Sequence, residues 1–387
     1  METTVRSGLE GVVAAQTAIS GVDGQAGELT IAGFSVEELA PHATFEEIVY
    51  LLWHDTLPNA EQLETLRSSL SARRALPAIT LELLETAADR RVPAMDALRM
   101  ATDTLSLQPS QGVTEEALTV VSSCPTAVAA YWRLCNGKVP IEPRQDLTHA
   151  ANYLYMLSGD PPGEEQVRAL ETYINSVADH GLNASTFAAR VVISTQSDMI
   201  SAIVGAIGAL KGPLHGGAPG PALDMVFEIG AAERAEPYLR AKLAAGERLM
   251  GFGHRVYKVR DPRADVLAEA ARRLYCASGD GAFYSLALHV EEVALRLLEE
   301  YKPGRHLQTN VEFYTALLLH GLGLETELFT PTFAIGRVAG WIAHCFEQQR
   351  LNRIIRPQSE YVGDRGRLYA PLSQRPATAI PTTHPAS

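Results

Sequence analysis

"TFEEIVYLLW", residues 44–53, decides the fold class of this chain. Thr44 lies three residues before Glu47, which is the spacing at which the two side chains cap the start of a helix reciprocally. Ile48 and Leu52 then recur at the helical period and predict one apolar face. The stretch is therefore predicted to form a capped, amphipathic α-helix.

The same helical pattern recurs along most of the chain. In "SVEELA" at 35–40, Ser35 and Glu38 repeat the capping-box spacing. Further amphipathic runs lie at 60–74, 164–177, 236–245, 263–275 and 288–299. The best strand candidate, "GELTIAG" at 27–33, is predicted to be one arm of a small N-terminal β-hairpin. We therefore expect a mainly α fold of packed helices rather than alternating βαβ units.

Length, composition and charge limit the possible functions. The chain has 387 residues, of which 46% are hydrophobic, so it can bury a large core. Its formal net charge of −12 has the wrong sign for a protein that binds nucleic acid by neutralising phosphates. The most apolar segment, "MISAIVGAIGAL" at 199–210, is shorter than the ~20 residues of a membrane span and predicts a buried helix. Gln16, Thr17 and Ser20 dilute the N-terminal apolar run, so we expect no signal peptide, no membrane partner and a cytoplasmic location.

Four segments combine titratable residues with glycine or proline. They are "DHGLNASTF" at 179–187, "GPLHGGAPGP" at 212–221, "MGFGHRVYKVRDPRA" at 250–264 and "TNVEFYTALLLHGLG" at 309–323. Three of them place a histidine beside a glycine, at His180, His215 and His254. Glycine lets the backbone approach a ligand closely, but glycine beside a polar residue is also typical of a surface turn, so both interpretations stay open at this point.

These histidines do not predict a metal site. Metal-binding histidines usually include one short spacing, whereas these three are separated by dozens of residues. Gly251 and Gly253 do not predict a dinucleotide-binding loop either, because Val256 occupies the position of the third glycine. We therefore expect neither a metal nor a tightly bound cofactor.

A cluster of positive charge indicates an anionic ligand. The stretch "HRVYKVRDPR" at 254–263 contains five basic residues and one acid, Asp261. Arginine binds carboxylate or phosphate in bidentate fashion, and a solvated helix start is the alternative interpretation. Arg337 in "FAIGRVAGW" lies in an apolar run, where an arginine is costly unless an anion or acid pairs with it.

Glu312 is the only acid in "TNVEFYTALLLHGLG". Thr309 lies three residues before it, so the pair also has the capping-box spacing, and the residues alone favour this structural interpretation. A carboxylate near a helix start can also serve as a general base, because burial and the helix dipole shift its pKa in opposite directions.

Taken together, these motifs resemble those of the citrate synthase family. The most specific pieces, in family order and spacing, are "HGLNASTF", "KGPLHGG", "MGFGHRVYK" followed by "DPRA", "LFTPTFAIGRVAGW" and "RPQSEYVG". The resemblance extends from "GLEGVVAAQTAISGVDGQAGEL" near the start to about residue 363 and so covers nearly the whole chain. It implies an acyltransferase of the tricarboxylic acid cycle that condenses acetyl-CoA with oxaloacetate and water to give citrate and coenzyme A.

The resemblance also implies a two-domain, almost wholly helical fold that works as a homodimer, with the active site in the cleft between the domains. A large domain would consist of residues 1–220 and 314–364, with a small domain inserted at 221–313 on the acyl-CoA side of the cleft. The tail at 365–387 is rich in proline and threonine and is expected to be extended or disordered.

Individual residues take their expected roles from the matched motifs. His215 would donate to the enolate oxygen, Glu312 would remove the methyl proton, and His254 would donate to the ketone oxygen of oxaloacetate. The residues that the resemblance assigns to oxaloacetate binding are His180, His254, Arg263 and Arg337, with Arg356 supplied by the other subunit. Coenzyme A would lie along the loop that contains Lys258 and Arg255.

Two positions depart from the usual family pattern, and they leave alternatives open. Glu312 stands where most members carry Asp, and Pro219 replaces the Asn of "HGGAN". One extra methylene moves a carboxylate by more than ~1 Å, and misplacement on that scale can cost ~100-fold in rate. A non-catalytic protein that binds coenzyme A or a dicarboxylate is therefore one alternative. A 2-methylcitrate synthase that uses propionyl-CoA is another, because one methylene in an apolar pocket is worth only ~1–3 kcal/mol.

Overall fold

Sixteen α-helices and one three-stranded antiparallel sheet form the part of the chain that the computed structural model describes. The described residues are 7–9, 11–109, 112–216, 219–253, 257 and 259–375. The mainly α fold with a small N-terminal hairpin, as predicted from the sequence, is confirmed.

The elements follow one another along the chain as follows. In the first half the helices are α1 Val36–Leu39, α2 Phe45–His54, α3 Ala60–Ser71, α4 Ala78–Asp89, α5 Ala94–Thr104, α6 Val113–Cys135, α7 His149–Ser158 and α8 Glu164–Ser176. In the second half they are α9 Ala184–Ile193, α10 Met199–Leu210, α11 Pro219–Ile229, α12 Ala232–Ala244, α13 Pro262–Ser278, α14 Gly281–Tyr301, α15 Val311–Gly321 and α16 Phe329–Leu351. The strands are β1 Ser20–Asp23, β2 Glu28–Ile31 and β3 Phe34–Ser35.

The predicted helix starts are present. At the start of α2, the Glu47 carboxylate accepts the backbone N–H of Thr44 at 2.7 Å, and the Thr44 hydroxyl accepts the backbone N–H of Glu47 at 3.4 Å. Ser35 caps α1 in a similar way by accepting the backbone N–H of Glu38. The capping is reciprocal at α2, whereas at α1 the structure shows the bond to Ser35 alone. Each bond satisfies a donor that a helix leaves unpaired at its first turn, which explains why both helices begin where the sequence indicates.

The N-terminal sheet is larger than the predicted hairpin. β2 lies in the centre and pairs antiparallel with β1 on one side and with the short β3 on the other. Gly33, in the turn between β2 and β3, has a φ of 85°, a left-handed conformation that glycine adopts without strain. Leu29 and Ile31 of β2 are buried, so one face of the sheet packs on the helical core.

The core is organised around α16, which packs against α2, α6, α8, α9 and α10. Two glycines on this helix allow a close approach to the end of α8. A Cβ atom added at Gly340 would lie 2.2 Å from the carbonyl oxygen of Ala178, and one added at Gly336 would lie 2.7 Å from that of Ile174. The close packing brings the buried Arg337, which lies between the two glycines, beside the residues that follow α8.

The apolar segment at 199–210 forms α10, which follows the capping residue Asp198 and buries one face. It is a core helix, as the sequence predicts. Within the described residues, no helix combines the length and the apolar content that crossing a bilayer requires.

The chain divides into two units after Ile354. In the second unit, residues 355–375 have an irregular backbone apart from one 3₁₀ turn at Leu372–Gln374. Val362 and Leu368 are 90% and 94% exposed. Residues 376–387 of the predicted tail lie outside the described residues. The division of the first unit into a large domain and a small domain at 221–313 stays a prediction.

Candidate active site

A cleft of about 670 Å³ brings together five of the residues that the sequence singles out. Its walls include His180, His215, Arg263, Glu312 and Arg337, which are up to 157 residues apart in the chain. The other predicted residues are not placed in this cleft. His254, Arg255 and Lys258 lie outside the described residues, and Arg356 is an exposed residue of the second unit.

His215 lies in a tight turn just after α10. The turn is closed by the backbone N–H of His215, which donates to the carbonyl oxygen of Gly212 at 2.9 Å. The next residue must be glycine, because a Cβ atom at Gly216 would lie 2.2 Å from the carbonyl oxygen of Leu210. The glycines around this histidine therefore allow the chain to fold back on its own helix and present the imidazole to the cleft.

The hydrogen bonds of His215 determine which of its ring nitrogens carries the proton. Its Nε2 atom lies 2.8 Å from the hydroxyl of Ser185 and 3.4 Å from the backbone nitrogen of the same residue. A backbone N–H can only donate, so Nε2 is an acceptor and the proton of the neutral ring resides on Nδ1. Burial, together with the positive charge of Arg337, lowers the pKa of His215 to about 4. The ring is therefore a neutral hydrogen-bond donor at physiological pH.

Ser185 contacts His215 from behind the cleft, and the sequence gives this serine no role. Its hydroxyl accepts the indole N–H of Trp341 at 3.0 Å, and its single proton lies between two acceptors, the side-chain oxygen of Asn183 at 2.8 Å and Nε2 of His215 at 2.8 Å. Its position is therefore fixed from several sides. It lies within "HGLNASTF", two residues after the N-cap of α9, but serine at such a position is also an ordinary helix-start residue.

His180 is held between two anchored neighbours in the loop between α8 and α9. The Ser20 hydroxyl donates to the carboxylate of Asp179 and accepts the backbone N–H of Gly181 at 2.8 Å. The Nε2 atom of His180 lies 3.1 Å from the hydroxyl of Tyr257, a second residue that the sequence does not indicate. Burial raises the pKa of Tyr257, so its phenol stays protonated.

Arg337 is a buried cation of the cleft wall. It is 2% exposed, its Nε donates to the carbonyl oxygen of Val177 at 2.5 Å, and its guanidinium lies 4.6 Å from the centre of the Phe333 ring. Among the described residues, no carboxylate forms a salt bridge with it. Burial lowers its pKa to about 10, so it remains charged at neutral pH. A charge buried in this way favours an anion in the cleft.

Arg263 is paired within its own segment. Its guanidinium binds the carboxylate of Asp261 through Nε at 3.0 Å and Nη2 at 2.7 Å. Asp261 also caps α13 by accepting the backbone N–H of Arg263. Although burial disfavours the charged form, Asp261 raises the pKa of Arg263 above its ordinary value.

The side chain of Glu312 lines the cleft and does not cap α15. Asn310 is the N-cap of α15, and its side chain accepts the backbone N–H of Glu312 at 3.0 Å. Thr309 instead donates to Glu291 at 2.6 Å, so the capping-box interpretation of Thr309 and Glu312 is wrong. Within the described residues, no hydrogen-bond donor is bonded to the Glu312 carboxylate. Burial raises its pKa, and Arg263 opposes that shift, so the group has the properties of a general base.

Tyr173 also lines the cleft and is a third residue that the sequence does not indicate. Its side chain is fully buried, and its hydroxyl has no hydrogen-bond partner among the described residues. An orphaned buried hydroxyl costs free energy, so a bound ligand that bonds to it would be stabilised.

Fold and site together define a helical protein with a cleft in which a carboxylate of raised pKa and a neutral imidazole lie with two buried arginines. The family model described as "Citrate synthase, C-terminal domain" matches residues 8–358. The chain belongs to the citrate synthase family, as the sequence motifs predict.

Similarity to individual proteins extends over nearly the whole chain. Citrate synthase 2 of Bacillus subtilis is 42% identical, over 96% of this chain and 100% of that protein. A 2-methylcitrate synthase of Shewanella oneidensis is 36% identical, over 95% of this chain and 98% of that protein. The chain is therefore similar both to a citrate synthase and to a 2-methylcitrate synthase, and of these two relatives the citrate synthase has the higher identity.

Solved structures confirm the fold. The crystal structure of citrate synthase from Pyrobaculum aerophilum has a TM-score of 0.85 at 38% identity and covers 95% of each chain. The ternary complex of carboxymethyl coenzyme A and oxaloacetate with citrate synthase from Thermoplasma acidophilum has a TM-score of 0.86 at 29% identity, over 96% of this chain and 100% of that one. The prediction of a citrate synthase-like enzyme is confirmed.

Proposed function

We propose that the protein condenses acetyl-CoA with oxaloacetate and water to give citrate and coenzyme A. The observation that carries this proposal is the cleft in which a carboxylate of raised pKa, a neutral histidine and two buried arginines meet. The 42% identity to a citrate synthase supports acetyl-CoA as the acyl donor over propionyl-CoA, the alternative acyl-CoA.

Oxaloacetate carries two carboxylates, and the cleft offers two cations for them. No carboxylate of the described residues forms a salt bridge with the guanidinium of Arg337. Arg263, the second cation, lies at the start of α13 and lines the same cleft. His180 and the orphaned hydroxyl of Tyr173 supply further polar contacts at the same site. Bidentate arginine contacts orient a small dicarboxylate and also strengthen its binding.

Acetyl-CoA must lose a proton from its methyl group before it can attack the ketone. Glu312 accepts that proton, and its raised pKa makes it a stronger base than an exposed glutamate. His215 donates the hydrogen on Nδ1 to the thioester oxygen, where negative charge develops. The enol carbon then bonds to the ketone carbon of oxaloacetate while a proton is delivered to the ketone oxygen, a role predicted for His254. Water finally hydrolyses the citryl thioester and releases coenzyme A.

The departure from Asp to Glu at position 312 bears directly on this chemistry. The longer side chain starts from the second residue of α15 and still lines the cleft with His215 and Arg263. This placement supports a base that functions with glutamate over a site that only binds ligands. Pro219, the second departure, begins α11 just beyond the His215 turn.

The assembly and the remaining ligands are also part of the proposal. We expect a homodimer in which Arg356 reaches the cleft of the other subunit. We also expect a small domain at 221–313 that forms the acyl-CoA side of the cleft, and contacts to coenzyme A from Arg255 and Lys258. The exposure of Arg356 in the described structure is compatible with such a contact.

Mixing inactive His215→Ala subunits with inactive Arg356→Leu subunits tests the shared site. The mixture is expected to regain part of the activity, and no restoration would mean that each subunit has a self-contained site. A cytoplasmic location and the absence of a metal requirement stay predictions.

The test is the release of coenzyme A thiol from purified protein with oxaloacetate and either acetyl-CoA or propionyl-CoA at saturation. Acetyl-CoA is expected to be preferred, and Glu312→Gln is expected to lower kcat by about 10²–10⁴-fold. Glu325→Gln, which changes an exposed glutamate, is the matched control and is expected to leave kcat unchanged. A preference for propionyl-CoA would indicate a 2-methylcitrate synthase. No release from folded protein that binds oxaloacetate would indicate a non-catalytic binder.

A further inference from the structure

A buried glutamate outside the cleft binds the two segments that carry Arg263 and Glu312. Glu291, in the middle of α14, is 8% exposed. Its Oε1 accepts the Thr309 hydroxyl at 2.6 Å and Nη1 of Arg260 at 3.0 Å. Its Oε2 accepts the Tyr314 hydroxyl at 2.5 Å. Both carboxylate oxygens are therefore bonded to groups from other elements.

The donors to Glu291 lie close in sequence to two residues of the cleft, Arg263 and Glu312. Arg260 lies three residues before Arg263, on the segment that enters α13. Thr309 and Tyr314 flank Glu312, three residues before it and two after it. One carboxylate thus holds both the segment of a substrate-binding arginine and the segment of the proposed base.

The contacts around Glu291 form a compact cluster rather than a single ion pair. The guanidinium of Arg260 also binds Asp265 at 2.5 Å and lies 5.8 Å from the centre of the Tyr314 ring. A buried carboxylate is costly unless donors surround it, and removing one donor leaves its oxygen unpaired. The cluster therefore resists relative movement of the two segments.

The same segment is linked to the loop that leads into position 254. Phe252 and Thr309 form an isolated antiparallel bridge, in which the N–H of Gly253 donates to the carbonyl of Gln308 at 2.7 Å. The N–H of Asn310 donates back to the carbonyl of Gly251 at 3.0 Å. The segment held by Glu291 is therefore also the support of the neighbouring loop.

We propose that Glu291 is a positioning residue that fixes the Glu312 carboxylate relative to Arg263. The proposal rests on the proposed function, since it concerns the geometry of the same base. A shift of about 1 Å in a reacting group can cost ~100-fold in rate, so the loss of a buried support is expected to appear in kcat. It is also expected to appear in the ionisation of the base, because burial is the main cause of the raised pKa of Glu312 and Arg263 opposes it.

The experiment compares Glu291→Gln with Glu292→Gln, the exposed neighbour on the same helix. We would measure kcat, the KM for each substrate, the pH profile of kcat and the melting temperature. Glu291→Gln is expected to lower kcat by about tenfold, and to raise the KM for oxaloacetate by a smaller factor. The acid limb of its kcat profile is expected to move to lower pH, since a loosened carboxylate becomes better hydrated. Glu292→Gln is expected to match the wild type in every measurement.

The outcomes separate this inference from the proposed function. An inactive wild type would overturn the proposed function. An active wild type with a Glu291→Gln variant that loses only melting temperature, at unchanged kcat and pH profile, would overturn the positioning role. If Glu291→Gln does not fold, Tyr314→Phe removes one donor and keeps the packed ring, and it is expected to lower kcat about threefold with the same direction of pH shift. Wild-type kinetics in a folded Tyr314→Phe variant would overturn the role equally.

Discussion

The two buried arginines of the cleft are held by opposite electrostatic arrangements. Arg337 donates to the neutral carbonyl of Val177, and the carboxylate that acts on it, Asp179, hydrogen-bonds His344 at 3.2 Å. Arg263 is bound by its own carboxylate, Asp261, through two hydrogen bonds. Burial accordingly lowers the pKa of Arg337 to about 10, whereas Asp261 raises that of Arg263.

This difference indicates unequal roles in substrate binding. A dicarboxylate that enters the cleft gives Arg337 its first ionic partner among the described groups, and it must share Arg263 with Asp261. The gain is greater where a buried charge was unpaired, because the desolvation cost is already present in the free protein. Arg337 is therefore expected to supply most of the affinity for oxaloacetate, and Arg263 mainly its orientation.

Removing Arg337 is the strongest test of this comparison. Arg337→Leu is expected to weaken oxaloacetate binding by about a hundredfold or more, because a desolvated charge pair is lost, while the fold is kept. Calorimetric titration with oxaloacetate measures the effect, and Arg350→Leu, an exposed arginine of the same helix, is the control. An unchanged affinity in the folded variant would contradict the unequal roles and the assignment of the anion site.

The helix that carries Arg337 also supports the proposed hydrogen-bond donor His215, because Trp341 of that helix bonds Ser185, which in turn bonds His215. Ser185→Ala removes the hydroxyl that bonds Nε2 of His215 and leaves the indole N–H of Trp341 unpaired. We expect kcat to fall about tenfold with little change in the KM for oxaloacetate, since the imidazole loses part of its orientation. Thiol-release kinetics measure this, with the exposed Ser68→Ala as control. A rise in KM alone would place Ser185 in substrate binding instead.

The sequence predicts the parts of this molecule that depend on local pattern. The capped start of α2 follows from the spacing of Thr44 and Glu47, and the turn at His215 follows from its glycines. Whole-motif resemblance then indicates which residues share the cleft. The supporting residues escape prediction, because the partners of Ser185 and Glu291 are distant in the chain and come from other elements.

Glu312 shows the limit of local rules most directly. Its spacing from Thr309 satisfies the capping-box rule, yet Thr309 donates to Glu291 and Asn310 caps the helix. A buried acceptor from another helix outweighs the local alternative, since its oxygen would otherwise be left unpaired. Spacing rules describe what a segment can do alone, and burial by other elements decides which option it takes.

The N-terminal sheet lies close to two segments of the cleft, the one that carries His180 and the one that leads to Arg263. It therefore offers a smaller test of how these two segments are aligned. Val22 lies against Gly181, and a Cβ atom at Gly27 would lie 2.6 Å from the side chain of Val259. Gly33, in the turn between β2 and β3, also has a positive φ, but a Cβ atom added there would meet nothing within 4 Å. Gly27→Ala is expected to raise the KM for oxaloacetate about fivefold, because it displaces the segment that leads to Arg263.

Gly33→Ala is the matched control for this prediction, since both substitutions place a side chain in the left-handed region. The left-handed conformation alone is expected to lower the free energy of unfolding of each variant by about 1–2 kcal/mol, measured by denaturant titration, and Gly27→Ala is expected to lose more because of its contact with Val259. Only Gly27→Ala is expected to change the KM. Equal KM values in the two variants would mean that the sheet stabilises the fold and does not align the two segments of the cleft.

The smallest effect is expected at Asp261, and it has the opposite sign. Asp261→Asn keeps the side-chain oxygen that caps α13 but removes the charge that competes with substrate for Arg263. We therefore expect oxaloacetate to bind about threefold more tightly in calorimetric titration. Asp261 also raises the pKa of Glu312, so its neutralisation is expected to shift the acid limb of kcat to lower pH, because the base stays ionised there. Weaker binding in a folded variant would show that Asp261 orients Arg263 for the substrate and does not compete with it, which would reverse the contrast between the two arginines.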